Sequence, residues 1–415
     1  MTNTLDARMR RLAMPLIALA LYSPLSMHAQ GTEVDLVRDV AFLADDELEG
    51  RMVGTVGERI ASDFIIKRFQ EIDAIPGGDY GKYRQYFTAQ PRVHGKRFGA
   101  PVTGHNVIAN IPGTDPHAGW IVIGAHYDHW GWGGEGSLFR SKIKVVHNGA
   151  DDNASGVAAM LELARRIAQN PLKHRVVFIA FSGEERGLWG SNDYANRIMG
   201  EDHPDFMINM DMVGRLNDER QLAIYGTGTS PIWDPILDTL NHEAGFKIKK
   251  DPSGVGPSDH TSFYLQDIPV LHFFTGQHED YHRPSDDFDK INFQGLAELI
   301  EYIEAIVREG DAHYEIPFTK TKNNQENTPR FKVTLGVVPD YLFDGSGMRI
   351  DGVTEGKPAA NAKLQKGDIV LKLGAIDIKD MMDYMKALGE FEPGDITTAT
   401  ILRGEATLEV EIRFL

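Results

Sequence analysis

His126, Asp152, Glu184, Glu185, Asp211 and His282 are the side chains of this sequence whose types and placement suit hydrolytic chemistry. Imidazole nitrogen and carboxylate oxygen are what zinc and its neighbours in softness take as ligands. Short apolar runs precede most of them. Trp120-Ile-Val-Ile-Gly-Ala leads into His126, Arg175-Val-Val-Phe-Ile-Ala-Phe into Ser182-Gly-Glu184-Glu185, and Phe206-Met-Ile-Asn-Met into Asp211. Ile268-Pro-Val-Leu-His-Phe-Phe leads into the loop carrying Tyr281 and His282. A lone histidine or carboxylate after a strand is usually a hydrogen-bonded loop residue. Five potential ligands placed in this serial fashion, with a second carboxylate beside one of them, form a candidate two-metal hydrolytic centre.

The elements that must position them follow from the same runs. Continuous β-branched and aromatic stretches bounded by glycine and polar residues read as strands buried on both faces. Helical spacing of apolar residues lies between or around them, over Ala154 to Gln169, Ala61 to Ile72 and Leu296 to Val307. The alternation predicts an α/β fold with a mostly parallel central sheet flanked by helices. Ligands in such sheets bind beyond the carboxyl ends of the strands, where the candidate residues fall.

Local sequence carries a resemblance. His126-Tyr-Asp128, Asn148-Gly-Ala-Asp-Asp-Asn-Ala-Ser-Gly156, Ser182-Gly-Glu-Glu-Arg-Gly-Leu-Trp-Gly-Ser191, Asn209-Met-Asp-Met-Val-Gly214, Ser258-Asp-His-Thr-Ser-Phe263 and Tyr281-His282 resemble, in order, the motifs of the co-catalytic zinc aminopeptidase family. Glutamate carboxypeptidases, glutaminyl cyclases and the transferrin receptor ectodomain are relatives of that family. Asp45-Asp-Glu-Leu-Glu-Gly-Arg51, with Gly54-Thr55 and Gly57, is similar to the opening of its bacterial members, and the resemblance spans roughly residues 32 to 315.

The resemblance implies a zinc exopeptidase fold and two zinc ions per chain. Asp152 would bridge them, His126 and Asp211 would complete one ion, and Glu185 and His282 the other. By residue type Asp151 is an equal candidate for the bridge; the resemblance selects Asp152, three residues after Gly149, and implies a cis Asp152-Asn153 bond. Glu184 would be the general base, and Tyr281 the phenol that hydrogen-bonds the oxyanion. Asp128, two residues from His126, is placed to accept that ring's other hydrogen. Asp259 and His260 would shape the pocket without binding metal.

The remaining histidines are given quieter roles. His105, His117, His174, His203, His242, His272, His278 and His313 are expected in loops or packing, whereas His129 and His147 lie near enough in sequence to touch substrate. The glycine-rich segment Trp130 to Val146 is long for a connection and is expected to shape the substrate site.

Arg8, Arg10 and Arg11 precede an apolar stretch from Leu12 to about Tyr22 and a small-residue exit at Ala29, the pattern of a secretory signal peptide over residues 1–29. That core is too short for a comfortable bilayer span, and no later segment reads as transmembrane. The chain is therefore expected to be exported, periplasmic or secreted. Its 415 residues carry a formal charge of -17, which disfavours nucleic acid and anionic membrane as partners. With no cysteine, there is no disulfide framework and no thiolate ligand.

A polar connector, Thr319 to Pro329, separates the expected peptidase domain, residues 30–318, from a β-rich domain over residues 330–415. Strands are predicted over Phe331 to Val338, Met348 to Val353, Asp368 to Leu373, Thr397 to Leu402 and Thr407 to Phe414, and helices near Ala359 to Leu364 and Met381 to Leu388. Thr334-Leu-Gly-Val337, Gly356-Lys-Pro-Ala-Ala360, Leu364-Gln-Lys-Gly-Asp-Ile-Val370 and Gly374 resemble a PDZ domain of the permuted bacterial kind. By that resemblance Leu335, Gly336 and Val337 form the loop that holds a peptide C terminus. The sequence as a whole points to an exopeptidase, an aminopeptidase before others, acting on peptide substrates. A glutaminyl cyclase with one zinc and a silent receptor-like relative are the alternatives, and the intact ligand set argues against the silent relative.

Overall fold

Alternation along the strand Trp120–His126 decides how the sheet is covered: Ile121, Ile123 and Ala125 enter one apolar cluster, and Trp120 and Val122 the other. Its neighbour Arg175–Phe181 divides likewise, with Val176, Phe178 and Ala180 on one face and Val177, Ile179 and Phe181 on the opposite one. Strands that bury both faces need helices on both, and the chain supplies them. The computed structural model describes residues 24–415 apart from 94–95, 98, 135, 140, 142, 199–202, 322–332, 341–342, 344, 355 and 380. Most of the expected leader and most of the connector therefore lie outside the described residues.

The strands of the first sheet are β1 (Ile75–Pro76), β2 (Arg84–Ala89), β3 (Val102–Ile111), β4 (Trp120–His126), β5 (Arg175–Phe181), β6 (Met207–Met210), β7 (Gln221–Tyr225), β8 (Lys247–Asp251) and β9 (Val270–Phe274). They form a nine-stranded sheet in the order β1-β3-β5-β4-β6-β9-β7-β8, with β2 also paired to β3. The centre, β5-β4-β6-β9, is parallel, as is β7-β8, while β1, β2 and β3 pair antiparallel and β9 meets β7 antiparallel. The parallel centre is the part that bears on chemistry, because its four strands end at one rim.

The larger cluster is closed by α1 (Pro24–Leu43), α2 (Val56–Gln70), α3 (Gly156–Gln169), α5 (Trp233–Ala244) and α7 (Phe293–Asp311). The smaller is closed by α4 (Trp189–Arg197) and α6 (His260–Tyr264), through Tyr194, Phe263 and Tyr264. In α3, Val157, Met160, Leu161, Ala164 and Ile167 fall on the buried stripe that 3.6-residue periodicity demands.

The second unit has its own core of Leu335, Met348, Ile350, Val370, Leu373, Ala399, Ile401, Ile412 and Phe414, joined by Tyr384 and Ala387. Its antiparallel strands are β10 (Val337–Pro339), β11 (Met348–Val353), β12 (Ile369–Leu373), β13 (Ile376–Asp377), β14 (Ile396–Arg403) and β15 (Ala406–Arg413), in the order β10-β11-β12-β14-β15 with β13 against β12. The short α8 (Pro358–Asn361) and α9 (Met381–Gly389) complete it. The first predicted strand is the one that departs most, since the paired segment is confined to Val337–Pro339, at the edge.

Candidate metal centre

Four adjacent strands deliver most of the candidate ligand residues. His126 closes β4, Glu184 and Glu185 follow β5, Asp211 follows β6, and the turn after β9 brings in Tyr281 and His282. Asp152 arrives from the π-type turn Ala150–Ser155 ahead of α3. His126 Nε2 lies 3.3 Å from Asp152 Oδ1 and 3.3 Å from Asp211 Oδ1. His282 Nε2 lies 3.2 Å from the other oxygen of Asp152 and 3.1 Å from Glu185 Oε2. The two groups of donors therefore share Asp152, one oxygen to each side.

Asp151 is engaged elsewhere. Its Oδ1 accepts from Ser155 Oγ and from the Gly214 amide, and His278 Nε2 stands 3.2 Å from Oδ2. The turn itself is held from three directions. Asp286 accepts the amides of Asp151 and Asp152. Asn153 donates to Met210 O and accepts from Gly156 and Met212. The Asp152-Asn153 bond is cis, as the resemblance implies.

Arg51, from the opening motif, is fully buried and donates to the carbonyls of Leu43, Tyr127, Asn148 and Gly149. Burial pulls its guanidinium down to about 10, against the field of Asp128, Asp152, Asp286 and Glu185. It ties the loop after His126 to the loop before Asp152 and supplies positive charge beneath them. The sequence analysis noted the motif without finding this role. Its signal was a single arginine in a stretch dominated by acids.

Asp128 acts differently from expectation. His126 Nδ1 bonds to the Asp128 backbone carbonyl at 3.2 Å, with the carboxylate farther off at 3.7 Å. That carboxylate instead accepts from the Glu184 amide at 3.1 Å, orienting the loop that carries the expected base. The segment Trp130 to Val146 also has a specific job. Gly136 O accepts from His282 Nδ1, and the Leu138 amide donates to His282 O, so the loop orients an expected ligand. Trp130 meets the His282 ring edge-on at 5.3 Å.

Glu184, Tyr281, Asp152, Glu185, Asp211 and His282 line one pocket, whose other wall includes Met212, Tyr225, His272 and Phe274. Tyr281 stacks on His282 with ring centroids 3.7 Å apart. Asp259 and His260 are buried behind the pocket, and His260 stacks on His272 at 4.4 Å. Both stay out of the donor groups, as expected. His147 bonds to Ser137 and to Val145 O, away from the pocket wall. His129, expected near enough to touch substrate, stands closer in still: its Nδ1 lies 2.7 Å from Glu185 Oε1, inside the donor cluster.

Charge at the site fits a cation. Burial opposes the His126 imidazolium, yet Asp211 and Glu184 hold it well above its usual range. His282 is likewise opposed by burial but pushed up to about 10 by Glu185 and Asp152. Glu184 is driven well up by burial and by neighbouring acids. The carboxylates thus draw protons onto the imidazoles, compensation that a divalent ion would supply instead. His126, Asp152 and Asp211 form one group whose donor atoms lie within 4.8 Å of one another, and His129, Asp152 and Glu185 a second. Asp152 Oδ2 and Glu185 Oε1 are buried without a hydrogen-bond partner. Atoms this close and yet misaligned for hydrogen bonding are arranged as donors around a third centre are. Nitrogen and oxygen donors without thiolate suit zinc.

In the second unit, Leu335 is buried in the core, Gly336 takes φ +75, and Val337 opens the edge strand β10. A Cβ at Gly336 would fall 2.1 Å from the Lys357 Cβ, so glycine is required there. The Gly336 amide donates to Thr334 Oγ1 at 3.0 Å.

Residues 106–307 match the model of peptidase family M28, and residues 318–414 that of the PDZ domain. Aminopeptidase YwaD of Bacillus subtilis is 28% identical over 232 residues, which cover 53% of this chain and 48% of that protein. Among solved structures, BSAP, a zinc aminopeptidase from Bacillus subtilis, aligns with TM-score 0.51 at 19% identity over 69% of this chain and 95% of its own. Porphyromonas gingivalis glutaminyl cyclase aligns with TM-score 0.52 at 18% identity, covering 68% and 98%. The chain spans about half the length of the first curated relatives it matches. The stretch that matches peptidase family M28 is thus followed by one that matches the PDZ domain, on a fold shared with solved zinc exopeptidases.

Proposed function

We propose that this chain, an M28 peptidase domain with a PDZ domain behind it, is an exported zinc-dependent aminopeptidase that hydrolyses the first peptide bond of its substrates. The observation that carries the reading is the sharing of Asp152 between two donor groups beside Glu184. His126, Asp152 and Asp211 would hold one zinc, and Asp152, Glu185 and His282 a second. Bound there, the ions would supply Lewis acidity for the scissile carbonyl and for the attacking water. Glu184 accepts the proton of that water and returns it to the leaving amine. The Tyr281 hydroxyl donates a hydrogen bond to the oxygen that becomes negative. Met212, Tyr225 and Phe274 offer an apolar wall for the side chain that precedes the cleaved bond.

The PDZ-like unit is assigned a peptide C terminus as ligand, with Leu335, Gly336 and Val337 at the carboxylate and β10 as the edge that an extended peptide joins. Export rests on residues 1–29, and no helix among the described residues is long and apolar enough to cross a membrane. Fractionation of cells expressing chains with and without those residues checks it; equal distribution of the two removes that part of the reading.

The experiment is peptide-library cleavage read by mass spectrometry, with and without chelator, together with a zinc count. Loss of single N-terminal residues that stops on chelation, at two zinc ions per chain, is the expected result. Ammonia release from glutaminyl peptides without hydrolysis, at one zinc, would replace the reading by the cyclase. Trimming from the carboxyl end would replace the aminopeptidase by a carboxypeptidase.

A further inference from the structure

The two donor groups are unequal, and the inequality comes from His129. This imidazole is 1% exposed, neither ring nitrogen has a hydrogen-bond partner, and Nδ1 stands 2.7 Å from Glu185 Oε1 and 3.9 Å from Asp152 Oδ2. A histidine serving only to orient Glu185 would be aligned with it as a donor; this one is close and misaligned. The ring meets His282 at 5.9 Å between centroids, nearly edge to face. It packs against Gly149, where a Cβ would fall 2.6 Å from the ring carbons. Gly149 adopts φ +56, and the backbone there passes so close that no larger residue leaves room for the imidazole. His126 and His282 are oriented through their second nitrogens, by the carbonyls of Asp128 and Gly136. His129 is instead held by shape.

We infer that His129 is a metal ligand, which gives one position four protein donors, from His129, His282, Glu185 and Asp152, and the other three, from His126, Asp211 and Asp152. Four protein donors close a zinc site, whereas three leave a place open. The closed position fills first and holds its ion more tightly. The open position exchanges its ion, although residues of both positions line the pocket. The inference rests on the metal-centre reading above and adds a sixth ligand to its five.

X-ray absorption on the whole protein loaded with one equivalent of zinc tests it directly, because the imidazole count per ion is read without turnover. Two imidazoles at one equivalent and an average of one and a half at two equivalents are expected. One imidazole at both loadings overturns the inference. Chelator competition supplies the second arm. His129→Gln should weaken the tighter zinc by more than the roughly 10–100-fold that loss of an outer partner costs, and leave the weaker zinc unchanged. That unchanged affinity also reports an intact fold. Unchanged affinity at both positions, or an equal loss at both, overturns the inference. If His129→Gln fails to fold, the imidazole count of the unmodified protein decides alone. A native protein that binds no zinc would instead overturn the metal-centre reading itself, a different failure from two zinc ions with one imidazole each.

Discussion

Glu184 and Arg51 divide the work of the site between chemistry and support, and each has a substitution that separates the two. Glu184→Gln keeps the shape of the side chain and removes the proton acceptor, so kcat should fall by about 10²–10⁴. Zinc content should stay within error by atomic absorption; activity near the original level would take the base role away from Glu184. Arg51→Met leaves the carbonyls of Leu43, Tyr127, Asn148 and Gly149 without their buried donor. At about 1–3 kcal/mol for each unsatisfied group, the loss should exceed roughly 3 kcal/mol in urea unfolding. Zinc affinity should fall with it, because both tethered loops carry ligands. The placement of the candidate ligands at strand ends was legible in the sequence, since each follows an apolar run that reads as a buried strand. Arg51 and His129 were not. A buried arginine is recognised by the carbonyls it meets, and a histidine three residues past a ligand has no periodicity to mark which way it turns.

The turn that carries Asp152 concentrates the local demands of the fold. Gly149 enters it at φ +56, and a Cβ there would meet Asp152 O at 2.1 Å as well as the His129 ring. Gly149→Ala should therefore lower zinc affinity together with thermal stability. An alanine variant with both properties intact would show that the turn has slack that these contacts deny. The parallel centre was readable because β4, β5 and β9 are continuous apolar runs. The flanks were not. β2 alternates buried and exposed residues over Arg84–Ala89, and β8, Lys247–Asp251, carries three lysines' and aspartate's worth of charge around one isoleucine. Half-polar and charged strands of that kind are what sheet edges use to discourage association, so their sequences look like loops. Antiparallel pairing at these margins makes the sheet mixed where a uniformly parallel continuation was the simpler extrapolation.

Across the whole molecule, the second unit keeps an apolar core of its own, distinct from the two clusters of the first, which implies two separable units. A chain ending after residue 329 should hydrolyse aminoacyl anilides with kcat/KM unchanged; a large loss would tie the second unit to catalysis. Peptides with free C termini should bind the full chain and their amidated forms should not, as measured by fluorescence anisotropy. Equal binding removes the carboxylate role of Leu335, Gly336 and Val337. Zinc at about 100 times its Kd adds roughly 2.7 kcal/mol to the folded state, so chelation should lower Tm by several degrees. An unchanged Tm would argue against a metal site in the core. The centre also draws on a long stretch of chain, from Arg51 to Asp286, and only α7 and the end of the first unit follow its last support. During synthesis on the ribosome no shorter nascent chain owns the whole cage. Acquisition of the proposed ions would therefore wait until the chain beyond Asp286 has been made, and would not need the second unit.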